Sequence, residues 1–255
     1  MFDRREGNPI RVPKAADVLA SRIRKAIVRG DLKVGEKLPR EAELISEFEV
    51  SRPTVREAIR ILESEGLITV SRGSQGGARV NTTTGNVITR AAGVALQARG
   101  ATLGDIYTAR TIIEPPAARL AAELNAAPAA AALRLVLDEA RKVVGDPLKM
   151  AQAVAEFHRV LLAECGNVVL SVVGQALQDV VDKHMKLANE RERNLVAKRD
   201  KRTAEVGLRS YEKLIGLIER EEADEAEAHW TRHMHEVERY WVGRLSGTAA
   251  IDVLE

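Results

Sequence analysis

Residues 39–66, PREAELISEFEVSRPTVREAIRILESEG, constrain the fold more than any other stretch of the chain. The spacing predicts two short helices with a tight join. The first covers about Glu41–Phe48, with Leu44, Ile45 and Phe48 as its apolar residues. A turn follows at Glu49-Val50-Ser51. The second helix runs from Ser51 or Arg52 to about Ser64, with Val55, Ile59 and Leu62 on one stripe at helical spacing. Ser51 suits an N-cap, and Pro53 suits the first turn, where its missing N–H costs nothing. Gly66 closes the helix. Arg52, Thr54, Arg56 and Arg60 fall on the faces that the apolar stripe leaves free. A cationic face on a short second helix is what reading a DNA major groove requires. An amphipathic helix with a solvated basic side would carry the same residues.

The neighbouring segments extend this unit. A helix over about Ala15–Arg29 places Val18, Leu19, Ile23, Ala26 and Ile27 on one side, and Gly30-Asp31 stops it. Leu32–Leu38 reads as a short connector. After Gly66 the pattern becomes extended: strands at Leu67–Val70 and Ala78–Val80 flank a turn at Ser71–Gly77. Helix, helix-turn-helix and hairpin together make a winged helix-turn-helix. Arg72 and Gly73 stand at the wing tip, where arginine suits a narrow groove and glycine lets backbone come close.

Composition limits the alternatives. Net charge is only +2, with 16 Lys+Arg against 12 Asp+Glu in residues 1–80, so a local basic face matters more than the total. An apolar fraction of 45% supports a real core, and frequent alanine with 3% aromatics favours helix over sheet. The single cysteine, Cys165, permits no internal disulfide; it lies in an apolar stretch and is expected to be an inert buried thiol. No run of about 18 apolar residues is present, so no membrane partner is expected.

The rest of the chain reads as follows. Residues 1–14 form a polar arm, 15–80 the winged helix-turn-helix, 81–101 a linker with a helix at Val87–Arg99, and 102–247 a second domain; 248–255 form a frayed tail. The second domain is helical throughout: Thr102–Asn125 with a kink after Glu114 at Pro115-Pro116, then Pro128–Val144, Leu148–Glu164, Val168–Asn189, Thr203–Arg220 and Glu225–Leu245. Short connections imply an antiparallel bundle. The fold class is therefore mainly α: an N-terminal winged helix-turn-helix plus a C-terminal antiparallel all-helical bundle.

The run GDLKVGEKLPREAELISEFEVSRPTVREAIRILESEGLI resembles the DNA-binding domain of the GntR family of bacterial transcription regulators. Several separated elements agree: GEKLP, EAELISEFEVS, SRPTVREA and EGLI. The resemblance implies that Arg52 and Arg56, with Thr54 between them, reach bases and phosphates, and that Gly73 is the wing-tip glycine. Some members place a DNA-contacting arginine where this chain has Ala42; Arg40 is the nearest replacement.

The second half resembles the all-helical FCD ligand-binding domain of the FadR-like branch of that family, through DIYTARTIIEPPAARLAA, the EFH segment and the terminal RHM. Many members of that branch hold a metal with one aspartate and three histidines. The matching positions here are Val154, His158, Tyr211 and His233, of which only the two histidines can serve as ordinary ligands. No metal and no other cofactor is expected. The alternative is a metal held by His158, His229 and His233, the last two at i, i+4 in HWTRHMH.

Arg110 and Glu114 match the family's R-x-x-x-E segment. Arg110 is either the anchor for an effector anion or half of an intrahelical ion pair with Glu114. Tyr211, His158 and His233 would supply polar groups around the effector, and Val154 favours a larger or greasier ligand.

The resemblance implies a dimeric, ligand-responsive regulator in the cytoplasm on the bacterial nucleoid. Most such proteins are repressors released from a palindromic double-stranded operator, here by an acidic metabolite (a carboxylate) or an acyl-CoA; an activator is the alternative. No nucleophile–base pair or phosphate loop points to an enzyme.

Overall fold

The computed structural model describes residues 14–71, 77–81, 85–191, 201–244 and 250–252. Among them are ten helices and one two-stranded sheet. The chain divides into two compact units, Met1–Val87 and Ile88–Glu255.

In the first unit, α1 spans Ala15–Arg29 and ends on Gly30 at φ 80°, a left-handed position that suits glycine. Its buried face is Ala16, Leu19, Ala20 and Ile23. Val18, expected on that face, is 43% exposed, because it sits about 100° around the helix from Leu19. The helix-turn-helix consists of α2 (Glu41–Phe48) and α3 (Arg52–Ser64). The Glu43 carboxylate accepts the Arg40 amide at 2.7 Å at the start of α2. Glu49, at φ 50°, makes the sharp turn between the two helices. Ser51 caps α3, its hydroxyl accepting the Thr54 amide at 3.4 Å. Val55, Ala58 and Leu62 are fully buried against Leu19, Ala20, Ile23 and Leu44. Arg24 grips Glu65 through two bonds of 2.8 and 2.5 Å, tying α1 to the end of α3.

The wing follows. Strand β1 (Ile68–Ser71) pairs antiparallel with β2 (Gly77–Val80), Ile68 opposite Val80. Residues 36–38 add to the far side of β2: the Leu38 amide donates to Ala78 at 2.8 Å, and the Val80 amide donates to Glu36 at 2.8 Å. The stretch read as a connector thus extends the sheet, since a bare edge of β2 would leave these amide and carbonyl groups without backbone partners.

Helix α4 (Gly85–Ala98) spans the boundary between the units and leads, in the second, to α5 (Leu103–Leu124), α6 (Ala126–Lys142), α7 (Pro147–Ala163), α8 (Val168–Arg191), α9 (Lys201–Glu219) and α10 (Ala223–Arg244). Thr102 and Asp105 cap α5 reciprocally: the Thr102 hydroxyl accepts the Asp105 amide at 3.1 Å, and the Asp105 carboxylate accepts the Thr102 amide at 2.8 Å. Helix α5 is the centre of this unit, packing most extensively on α10 and also on α6, α7, α8 and α9. It continues through Pro115 and Pro116 as one helix, although the pair removes two amide donors. Leu133, Leu137, Phe157, Leu161, Leu214, Ile215, Ile218 and Trp230 are almost wholly buried in its core. Cys165 is also buried, in a small cluster with Ala117 and Leu162.

One expectation is overturned. The tail after Ser246, read as frayed, docks at Ala250–Asp252. The Ile251 amide donates to the Ala101 carbonyl at 2.9 Å, and the Ile251 side chain is 1% exposed. An apolar side chain with a matching slot, plus a backbone partner, outweighs the entropy that frays a free end. Among the described residues no helix is long and apolar enough to cross a membrane.

Candidate functional site

Two sites emerge, one in each unit. On the first, α3 presents Arg52, Pro53, Arg56, Glu57 and Arg60 around a shallow concavity of about 330 Å³. Arg52, Arg56 and Arg60 are exposed, because Val55, Ala58 and Leu62 turn inward on the opposite face. Thr54 is half-buried beside Ser51, with 2.9 Å between their hydroxyls. Arg56 meets Glu41 of α2 at 3.4 Å and Arg60 meets Glu57 at 3.6 Å; both pairs lie in solvent and can exchange these partners for phosphates. Arg40 and Ala42 are exposed at the start of α2. Arg72 and Gly73 lie outside the described residues. Arg79, on β2, donates to the Gly35 carbonyl, so this wing cation is engaged within the fold.

The second site is built on Glu114. This carboxylate is 1% exposed and accepts from Arg110 Nε at 2.8 Å, His158 Nδ1 at 2.6 Å and Trp230 Nε1 at 3.2 Å. Burial pushes its pKa up, but the Arg110 charge and the His158 contacts outweigh burial and bring it down to about 2. Glu114 is therefore ionised, and its bond to Nδ1 leaves His158 Nε2 as the ring's other polar atom. Arg110 is 4% exposed, and its guanidinium carbon lies 5.2 Å from the Tyr107 ring centre. Burial pushes the Tyr107 hydroxyl up to about 12, which keeps it protonated.

Behind His158 stands an aromatic wall. Tyr211 stacks on Phe157 at 4.0 Å and meets His158 edge-on at 6.0 Å. His233 stacks on Trp230 at 4.3 Å, and its Nδ1 lies 3.1 Å from the Ser210 hydroxyl. Burial first, and the neighbouring His158 second, hold His233 down to about 3, so it is neutral.

A cavity of about 420 Å³ opens from this floor between α5, α7, α8 and α10. Tyr107, Arg110 and His158 give it a polar end. Val154, Val181, Met185, Val237 and Trp241 give it an apolar wall. Gln178, Asp182 and Arg159 lie along one side: Asp182 accepts from Gln178 at 2.7 Å and from Arg159 at 2.6 Å.

The comparisons with known proteins bear on both units. The family described as "Bacterial regulatory proteins, gntR family" matches residues 15–80, and the FCD domain matches residues 105–236. The chain belongs to the GntR family of regulators that carry an FCD domain. It is a DNA-binding transcription regulator and not an enzyme. An HTH-type transcriptional repressor NanR of Enterobacter sp. (strain 638) is 27% identical over 241 residues, 91% of this chain and 87% of that protein. A second NanR, of Cronobacter sakazakii, is 30% identical over 174 residues, 67% of this chain and 66% of its own length. A solved structure of Streptococcus agalactiae GntR superposes with a TM-score of 0.66 over 88% of this chain and 99% of its own, at 23% identity, and so shares the fold.

The GntR/FCD positions that carry a metal in many members do not fit one here. Val154 offers no donor atom, and Tyr211 is packed flat on Phe157. His158 gives Nδ1 to Glu114, leaving two imidazoles where three or four protein ligands are the norm. In the alternative set one ring nitrogen of His229 is already engaged. His229 Nε2 lies 2.9 Å from the Ser210 carbonyl, to which it can only donate, so that nitrogen has no lone pair for a metal. Among the described residues no three His, Cys, Asp or Glu side chains form a metal-binding group.

The five residues read as effector contacts thus form one cluster, but only Arg110 and His158 line the cavity. Glu114 bridges them from beneath; Tyr211 and His233 pack behind. Sequence reasoning missed Tyr107, Arg159, Gln178, Asp182, Met185 and Trp241. Gln178, Val181, Asp182 and Met185 do recur at i, i+3, i+4, i+7 on α8, a pattern that any half-buried helix shows.

Proposed function

We propose that this GntR/FCD regulator is a dimeric repressor whose hold on a palindromic operator is released by a carboxylic acid. The supporting observation is the Arg110–Glu114–His158 floor opening into a cavity of about 420 Å³. Glu114 cancels the Arg110 charge in the free protein. It also holds the guanidinium rigidly, so an incoming carboxylate meets donors already oriented, with the His158 ring fixed beside them. The cavity is near the lower end of the ~300–1,000 Å³ typical of small-molecule sites. That size favours a compact acid with an apolar body over an acyl-CoA, whose nucleotide would have to stay outside. Repression is supported by the names of the two NanR relatives. Arg52, Thr54 and Arg56 are assigned to the operator, with Arg40, Arg72 and Gly73 as flanking contacts.

The test begins with duplexes selected from a random pool by the full-length protein. A panel of carboxylic acids and acyl-CoAs is then screened by thermal shift, since a ligand that binds the native state raises Tm. An acid that raises Tm should weaken binding to the selected duplex. Arg110→Ala should keep duplex affinity and lose the response to the acid. An Arg110→Ala protein that still responds fully would remove Arg110 from the site.

A further inference from the structure

One apolar wall of the cavity belongs to a cluster that also takes in Ile251, close to the end of the chain. Tyr107, Val181, Met185, Val237 and Trp241 line the cavity. The same five side chains belong to a compact apolar cluster with Leu103, Ile106, Val180, Leu96 and Ile251. Ile251 belongs to this cluster without lining the cavity itself.

Four contacts along Ala250–Asp252 fix the place of Ile251. Its amide donates to the Ala101 carbonyl at 2.9 Å, with Ala250 bridged to Thr102. The Asp252 amide donates to Nδ1 of the buried His184 on α8 at 3.0 Å. The Asp252 carboxylate accepts from Gln97 of α4 at 3.4 Å. The segment Ala250–Asp252 therefore clasps α4, the start of α5 and α8 together.

We infer that Ile251 is a positioning residue of the effector pocket, and that the Ala250–Asp252 strap carries the state of the cavity wall to α4. The effector role of the cavity rests on the function proposed above. Side chains packed at crystal-like density on both faces cannot move on one without disturbing the other. A ligand that displaces Tyr107, Val181 or Trp241 therefore disturbs the cluster that also holds Leu96 and Ile251. Helix α4 is the segment through which the chain passes from the first unit to the second. The strap gives a ligand a way to favour one arrangement of α4 over another, as any effector must.

The test needs no ligand. The full-length protein is labelled with 5-fluorotryptophan; its two tryptophans, Trp230 and Trp241, give one ¹⁹F resonance each, assigned through Trp241→Phe. Trp241 lies in the strap cluster, and Trp230 lies in the main core. Ile251→Ala should shift or broaden the Trp241 resonance and leave that of Trp230 in place. Amide exchange at residues 96–102 should speed up roughly tenfold or more, with α6 and α9 unchanged. Ile251→Val, which removes one methylene, should restore most of the wild-type spectrum and keeps the comparison readable if the alanine variant unfolds. A Trp241 resonance unmoved in Ile251→Ala overturns the inference. So does joint movement of both resonances in Ile251→Val, which marks a general loss of stability. A failed acid screen would remove the effector reading and leave this measurement standing.

Discussion

Glu114 shows how far one buried residue departs from its sequence context. Arg110 and Glu114 at i, i+4 on a surface helix would be worth ~0.2–0.5 kcal/mol. Here both are buried, and Glu114 also holds His158 and Trp230. Truncating it leaves a buried guanidinium without its partner. Glu114→Ala should therefore cost about 3–5 kcal/mol in urea unfolding of the full chain. A loss near the surface-pair value would mean that solvent reaches the pair.

His233 makes a second prediction at this scale. Its folded pKa of about 3 lies below the ordinary 6.5. Between these values the unfolded chain binds a proton that the folded chain refuses, so stability falls as pH drops from about 6.5 toward 3. His229, also lowered, chiefly by burial, acts in the same direction. Glu114, lowered from 4.5 to about 2, adds its own loss only below about 4.5. The decline of Tm between pH 6.5 and 4.5 should therefore flatten in His233→Gln. An unchanged slope would mean that His233 takes up its proton in the folded state.

At the scale of elements, α3 was legible because its determinants are local. Ser51, Pro53 and the Val55/Leu62 spacing act within a few residues, and the helix begins and ends where they place it. Ser51→Ala should cost about 1 kcal/mol of stability in the first unit, the usual loss for an N-cap. Arg52→Ala should cost about 1–3 kcal/mol on the selected duplex and little on unrelated DNA if it reads a base edge. If Arg56 contacts a phosphate, Arg56→Ala should lower affinity on all sequences and reduce the log–log salt slope by about 0.9. The close crossing of α7 and α8 was not legible. A Cβ on Gly174 would come within 2.5 Å of the Leu162 side chain, which is itself buried. Gly174→Ala should destabilise the second unit by about 1–3 kcal/mol, the usual cost of overpacking, read from its thermal unfolding.

For the whole molecule, the sequence by itself determined the winged helix-turn-helix, the helical second half and the family. Caps, turn residues and apolar periodicity are short-range signals that survive in a linear text. The apolar spacing along α9 is a signal of the same kind, and Tyr211, Leu214, Ile215 and Ile218 are all buried. Only the tertiary structure decided what Arg110 and Glu114 are to each other. The packing of α5 against its neighbours removes them from water and makes one carboxylate the partner of three groups. It likewise decided that Tyr211 and His233 stand behind the cavity, and that Tyr107, Asp182 and Trp241 face it. It also docked Ala250–Asp252, in a tail read as frayed, against Ala101 and His184. Each of these outcomes depends on contacts between residues tens to more than a hundred positions apart. Burial and desolvation arise from such contacts, and the spacing of residues along one helix does not encode them.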